Sequence, residues 1–422
     1  MSAKRRSGVD VSLALERLLD FRTAEVFTRE ELREKLTQSE RNNRPLRIKL
    51  GVDPTAPDIH LGHAVVLRKM RQFQDLGHIG VLIIGDYTGM VGDPSGRSKT
   101  RPQLSYEEIE RNAATYREQV FKILDRKRTE IVLNGDWFKK LSFKEVLELT
   151  SRFTVARLLE RDDFEKRLST GQPLGLHEVL YPVMQAYDSV MARADVELGA
   201  TEQTFNILMG RQLQEQMGQE RQIAFLVPVL TGTCGSVRMS KSIGNYIGIA
   251  ESPQEMFGKT MSIKDRLIVE YLRLATDYEI GEIERLEKAL AEGEINPRDV
   301  KFQLAKRIVA LYHGRTASES AASDFERVFK RGKGAKTVES PSEMPVLEVK
   351  EEDLRDGKVW IAKLLRLANA ADSNSNALGL VCQGAVFIDG VRVDAEAPDV
   401  KVASGMTLRV GRHRFFRIEL SK

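Results

Sequence analysis

From Leu46 onward, short strand-like segments ending in glycine or a turn alternate with stretches of helical spacing: 46–52, 81–84, 130–133, 196–198 and 222–230. Parallel strands cannot be joined by tight turns and each needs a crossover, so this alternation predicts an open, largely parallel α/β sheet with its ligands at the strand C-termini. At 422 residues, 41% apolar and 30% charged, the chain has room for about three domains and no need of disulfide staples. No apolar run approaches the ~18 residues of a spanning helix. Two cysteines, Cys234 and Cys382, suit a reducing compartment. A cytoplasmic protein with no membrane partner is the expectation.

Residues 1–45 read as an N-terminal helical lead-in, with Leu13, Leu15, Leu18, Leu19, Leu32 and Leu36 at helical spacing and Thr28 before Glu31 as a capping box. Residues 46–247 form the sheet domain, interrupted near 105–170 by a charged, helix-rich insertion. Segments 255–276, 279–292 and 299–312 carry 3.6-residue periodicity, which predicts an all-helical domain over 248–336. A linker at 337–354, marked by Pro341 and Pro345, leads to a small α+β module at 355–422 in which Asp389-Gly390 signals a hairpin. The formal charge is only +4, yet 301–336 holds nine Lys or Arg against three acids, which suggests a face turned toward a polyanion.

Strand parity places Lys49, Gly51 and Asp53 on one face of 46–52, and that polar face must look into a cleft. Pro54 to Asp58 turns the chain, after which His60-Leu61-Gly62-His63 opens a helix with both imidazoles at its positive end, an anion site. Read as metal ligands, the two histidines lack further partners, since the chain has six histidines and no Cys-x-x-Cys. No metal site is expected. A second constellation, Thr231 to Ser242, is a glycine-containing loop whose Arg238 and Lys241 are spaced to fold over a triphosphate.

Together these resemble the two signature elements of class I aminoacyl-tRNA synthetases, and Asp53 to His63 resembles the tyrosyl-tRNA synthetase family in particular. Further matches are Gly92-Asp93-Pro94-Ser95-Gly96-Arg97, Tyr181 to Asp188 through Gln185, and Gly199-Ala200-Thr201-Glu202-Gln203, while the tail is similar to the RNA-binding fold of small-subunit ribosomal protein four. The resemblance implies a Rossmann-like catalytic domain and activation of tyrosine by ATP, followed by transfer to tRNA(Tyr). Thr55, His60, His63, Arg238 and Lys241 would be catalytic. Gly51, Asp53, Gly62 and Gln203, with both histidines and Lys241, would bind ATP, with magnesium as the nucleotide's counterion and no other cofactor. Tyr181, Gln185 and Asp93 would hold the substrate ammonium and Asp188 its phenol, beside Lys49. Tyr181, Gln185 and Asp188 do fall on one side of a single helix. Arg412, Arg414 and Arg417, next to an exposed Phe415-Phe416 pair, would touch tRNA, and DNA is not an expected partner. A homodimer paired through the helical insertion is expected as well.

Three departures stand out. Lys49 takes a place that a tyrosine fills in the best-known branch, where it could neutralise Asp188 and keep it an ionised acceptor. Ala200 and Glu202 replace the usual glycine and aspartate beside the ribose. Arg238 replaces the first lysine of the loop, keeping the charge but stiffening the phosphate contact. Tryptophanyl-tRNA synthetase, and a noncatalytic RNA-binding relative, are the readings set against this one. Asp188 after Gln185 favours a phenol over an indole, and a binding module has no need of Lys241.

Overall fold

The computed structural model describes residues 10–55, 57–95, 105–329, 344–354, 357–371, 373–382, 384–394, 399–411 and 414–421. They fall into two compact units, Met1–Ser252 with Lys259–Tyr312, and Pro253–Gly258 with His313–Lys422.

The first unit is built on six strands, β1 (Glu25–Phe27), β2 (Arg47–Val52), β3 (Ile79–Ile84), β4 (Thr129–Leu133), β5 (Val196–Ala200) and β6 (Ile223–Val227). Their order is β1-β6-β5-β2-β3-β4; β1 runs antiparallel and all other pairings are parallel. The chain therefore winds outward from β2 through β3 to β4, then crosses back to add β5 and β6 on the other side. That reversal sits between β2 and β5, where an open α/β sheet forms its ligand crevice. Pairing of β2 with β5 stops after Ile48↔Val196 and Lys49↔Glu197, whereas β2 and β3 stay in register from Arg47 to Val52. Beyond residue 49 the two central strands diverge.

β1 is a strand inside the expected helical lead-in. It lies between the helices Val11–Leu18 and Arg29–Arg41 and covers the β6 edge, and Thr28 and Glu31 close the capping box at the start of the second helix. β4, the sheet's other edge, is the strand expected at 130–133 and falls within the helix-rich insertion. The helix Leu61–Asp75 buries Phe73 edge-on against Phe225 of β6, with ring centroids 5.5 Å apart.

The helices expected to form a separate domain after 248 divide instead near residue 312. Ile268–Ala275 and Ile280–Ala291 belong to the sheet unit, because the Arg22 guanidinium donates to the carbonyls of Arg273, Thr276 and Tyr278, and buried Tyr271 donates to Thr231 O at 2.8 Å. Periodicity identifies such a helix without showing which surface receives its apolar face.

The second unit carries β7 (Val346–Lys350), β8 (Lys358–Trp360), β9 (Val386–Ile388), β10 (Val391–Arg392), β11 (Asp399–Lys401), β12 (Thr407–Val410) and β13 (Arg414–Ser421). Five of them make a sheet in the order β10-β9-β12-β13-β7, and β8 pairs with β11. The helix Ile361–Leu367 packs its buried Ile361, Leu364 and Leu365 into one core with Val386, Leu408 and Ile418. Part of the expected linker is thus a strand, since β7 runs parallel to β13. Asp389 and Gly390 form the hairpin turn, both with positive φ (48° and 80°), a combination that favours Asp-Gly.

Phe73→Ala should lower stability by about 3–5 kcal/mol, because a fully buried ring leaves a cavity in a close-packed core. Urea unfolding of the full chain checks this; a loss below about 1 kcal/mol would mean that the Phe73–Phe225 contact does not anchor the helix to the sheet.

Candidate active site

β2 delivers its polar face to the crevice where β5 departs. Gly51 is exposed, and a methyl placed on it would meet nothing within 4 Å, so the strand end is open above the sheet. Asp53 follows, its carboxylate accepting from Thr88 Oγ1 at 2.7 Å and from the Tyr181 hydroxyl at 2.8 Å. Thr55 occupies the ensuing turn, its N–H donating to Asp53 O at 2.8 Å.

His60 then caps the Leu61–Asp75 helix and His63 lies one turn on, their rings stacked at 3.8 Å with 17° between planes. A side chain on Gly62 would press the His60 ring at 3.0 Å, so glycine lets the imidazoles lie flat. Burial first, then the neighbouring charges, pushes both histidines down: His63 to about 3, and His60 further still. At neutral pH they are uncharged imidazoles that offer hydrogen bonds beside the positive end of the helix.

The loop from Thr231 to Asn245 meets this helix end. Leu61 N–H donates to Ile247 O at 2.9 Å, and His60 and Gly248 form a bridge. Asn245, which the sequence reading passes over, straps the loop by accepting from Ser240 N–H at 2.8 Å and donating to Arg238 O and Cys234 Sγ. The Lys241 ammonium is buried without a hydrogen-bond partner, 5.5 Å from the Tyr116 ring centroid, and burial holds it down at about 8. Its charge and that of Arg238 are felt by both imidazoles. Helix start and basic loop therefore share one pocket.

Arg238 also reaches across the crevice, donating to Glu202 Oε2 and, at 3.4 Å, to Ser95 O. Two of the three departures thus meet as an ion pair, and the Glu202 carboxylate, expected beside a ribose, is engaged by the arginine.

The Leu176–Ala192 helix supplies the other wall. Tyr181 and Asp188 are buried and Gln185 is partly buried, consistent with their shared helix side. Asp188 accepts from the Trp137 indole at 2.9 Å and from Asn134 Nδ2 at 3.2 Å. Burial, which outweighs these bonds and the field of Lys49, pushes its carboxyl up to about 7. The Lys49 ammonium is the expected neighbour of Asp188, but its direct partner is Glu197 Oε1 at 2.8 Å. Lys49 therefore acts on Asp188 only through space, and that field does not keep the carboxyl in the ordinary acid range. Asp93 accepts from Gln203 Nε2 at 2.7 Å, and Gln203 Oε1 accepts from Asn206, which also donates to Gln185 Oε1 at 2.9 Å.

Residues 41–330 match the family described as tRNA synthetases class I (W and Y). Tyrosine–tRNA ligases of Moorella thermoacetica and Thermotoga maritima are each 49% identical to this chain over 402 residues, covering 95% of it and 95% and 96% of their own lengths. The chain belongs to the tyrosine–tRNA ligase family. In fold it is similar to a C-terminally truncated Aspergillus nidulans mitochondrial tyrosyl-tRNA synthetase (24% identity, TM-score 0.61, 75% of this chain and 94% of that one). It is also similar in fold to the Archaeoglobus fulgidus tyrosyl-tRNA synthetase (22% identity, TM-score 0.60, 74% and 100%).

Glu197, Asn206, Asn134, Trp137 and Asn245 hold the candidate residues in place through hydrogen bonds, and motif reading misses them. Glu197 alone left a signal, a charge in the middle of an apolar central strand. Among the described residues no group of three or more His, Cys, Asp or Glu is placed to hold a metal ion. In the tail, Arg412 lies outside the described residues, and Arg414 and Arg417 are exposed. Phe415 is buried and Phe416 packs half-buried against the tail core, because β13 is an inner strand of its sheet. Among the described residues of this unit, Trp360 is an exposed aromatic, at 38%, beside Lys363 and Arg366 on a cavity of about 390 Å³.

In the free protein the Asp188 carboxyl should titrate near pH 7, and Lys49→Met should move that midpoint upward by removing a charge that favours ionisation. Carbon NMR of labelled aspartate reads both; an unchanged midpoint in the variant would remove Lys49 from the electrostatics of this pocket.

Proposed function

We propose that this chain is an ATP-dependent tyrosine–tRNA ligase. The observation that carries this reading is that two stacked, uncharged imidazoles at a helix start face the buried Lys241 ammonium, while the helix bearing Tyr181 and Asp188 is tied to the end of β2 through the Tyr181–Asp53 hydrogen bond.

In the first step a carboxylate oxygen of tyrosine attacks the α-phosphorus of ATP, the bond to the β-phosphate oxygen breaks, and pyrophosphate leaves with the electron pair. Little proton chemistry is needed, so the protein's work is positioning and stabilisation of charge on phosphate oxygens. His60, His63 and Thr55 sit where the α-phosphate would be presented, and Lys241 and Arg238 face the departing pyrophosphate. A lysine near 8 is largely protonated at neutral pH and desolvated, so its interaction with a developing anion is strong. Gly51, Asp53, Gly62 and Gln203 complete the nucleotide site, and magnesium enters as part of the ATP substrate. In the second step a hydroxyl of the tRNA's terminal adenosine attacks the tyrosyl carbonyl and AMP leaves.

For tyrosine, Asp188 accepts from the phenol, while Asp93, Gln185 and Tyr181 surround the ammonium. Phenylalanine would forgo the hydrogen bond to Asp188, and sites built to bind a substrate hydroxyl reject the analogue lacking it by about 10⁴–10⁵, tyrosyl-tRNA synthetase itself being among the measured cases. Exposed Arg414 and Arg417 support tRNA contact by the tail. The boundaries read from sequence, with a catalytic region to 247, an anticodon-side helical region and a tail from 355, remain part of this reading in functional terms. Phe143 (77% exposed) and Val155 (68%) are exposed apolar side chains of the insertion, which supports the expected pairing of two copies through it. The enzyme is read as cytoplasmic, like a translation enzyme with two cysteines.

Exchange of labelled pyrophosphate into ATP should depend on tyrosine and not on tryptophan. Lys241→Ala should lower the exchange kcat by about 10²–10³, the magnitude of one removed oxyanion donor, with far-UV circular dichroism unchanged. Exchange driven by tryptophan, or full activity in the variant, would sink the reading.

A further inference from the structure

Glu197 is paired with Lys49 as the last rung between β2 and β5 before the two strands separate. Both side chains are fully buried, at 1% and 0% exposure. Lys49 uses all three of its donors, to Glu197 Oε1 at 2.8 Å, Ser189 Oγ at 2.7 Å and Gln185 O at 3.0 Å. Glu197 is equally satisfied: Oε1 also accepts from Gln185 Nε2 at 3.1 Å, and Oε2 accepts from Ser189 Oγ and from Gln222 Nε2. A side chain on Gly210 would strike Gln222, Ser189 and Glu197, so the helix behind is held at glycine distance.

A buried ion pair is a poor source of stability, since desolvating two charges consumes most of what their attraction returns. Its contribution here is directional. A carboxylate only accepts hydrogen bonds, so Glu197 draws the NH2 side of the Gln185 amide and turns the Gln185 carbonyl oxygen the other way, toward Asn206. An amide turned so offers a substrate ammonium the acceptor it needs.

We infer that Glu197, neutralised by Lys49, is a positioning residue for tyrosine: it acts through Gln185, fixing which face of that amide meets the substrate's ammonium. This rests on the ligase reading. Glu197 also faces Asp188 through space, together with Lys49, the Asn134 amide and the Trp137 indole.

The test uses the full-length protein in pyrophosphate exchange, with KM for tyrosine, KM for ATP and kcat measured separately. The double variant K49M/E197L removes both charges at similar volume, so no buried charge is stranded. It should fold, and its KM for tyrosine should rise about tenfold, the loss of one charge-assisted hydrogen bond, while KM for ATP and kcat change less than about threefold. The double variant K49M/E197Q, which likewise strands no charge, keeps an acceptor for Gln185 and should restore most of the tyrosine affinity. A wild-type tyrosine KM in K49M/E197L overturns the inference, as does a joint loss in all three parameters, which marks general damage. Absence of exchange in the unmodified protein overturns the ligase reading itself and the inference with it.

Discussion

The parting of β2 from β5 after one cross-strand ion pair is the constraint on which the site depends. Strands that stayed paired to their ends would close the sheet over the region where Gly51 now borders open space. The reversal of winding direction makes parting possible there, since the connections leave to opposite sides. Lys49 and Glu197 set where it begins. Thr55, His60 and His63 follow β2, Gln203 follows β5, and Arg238 and Lys241 follow β6, while Asp93 comes from beyond β3 and Tyr181, Gln185 and Asp188 from the helix that precedes β5.

The electrostatics are arranged by exclusion of water more than by accumulation of charge. Burial turns the two histidines into neutral hydrogen-bonding groups, drops Lys241 toward the physiological range and lifts Asp188 into it. The consequence is a site with one desolvated cation and few fixed anions near the helix start, suited to a ligand that brings its own negative charge. Asp188 is a buried carboxyl of intermediate acidity held by Asn134 and Trp137, which suits the acceptor role proposed for it.

Much of this was legible in the chain because it rests on local rules. Glycine-terminated apolar runs marked β2, β3, β5 and β6; Thr28 and Glu31 marked a helix start; Tyr181, Gln185 and Asp188 at helical spacing marked one face. Features set by partners distant in sequence were not legible. β1 is three residues long and exists because β6 offers an edge. The helix Ile268–Ala275 belongs with the sheet because Arg22, some 250 positions earlier, binds the carbonyls at its end. Phe415 and Phe416 looked exposed beside arginines until β7 and β12 flanked their strand. Lys49 was read against Asp188, its expected partner by resemblance, when the residue opposite it in register was Glu197.

The Arg238–Glu202 pair bears on the nucleotide contact proposed above. A phosphate reaching this guanidinium would find it already bound to a carboxylate, so capture there would be an exchange of one anion for another. The strength of the interaction is then a difference between two attractions, and dissolved salt, which weakens both alike, cancels in large part. Grip at this corner is governed less by how much positive charge the loop carries than by how readily residue 202 gives it up.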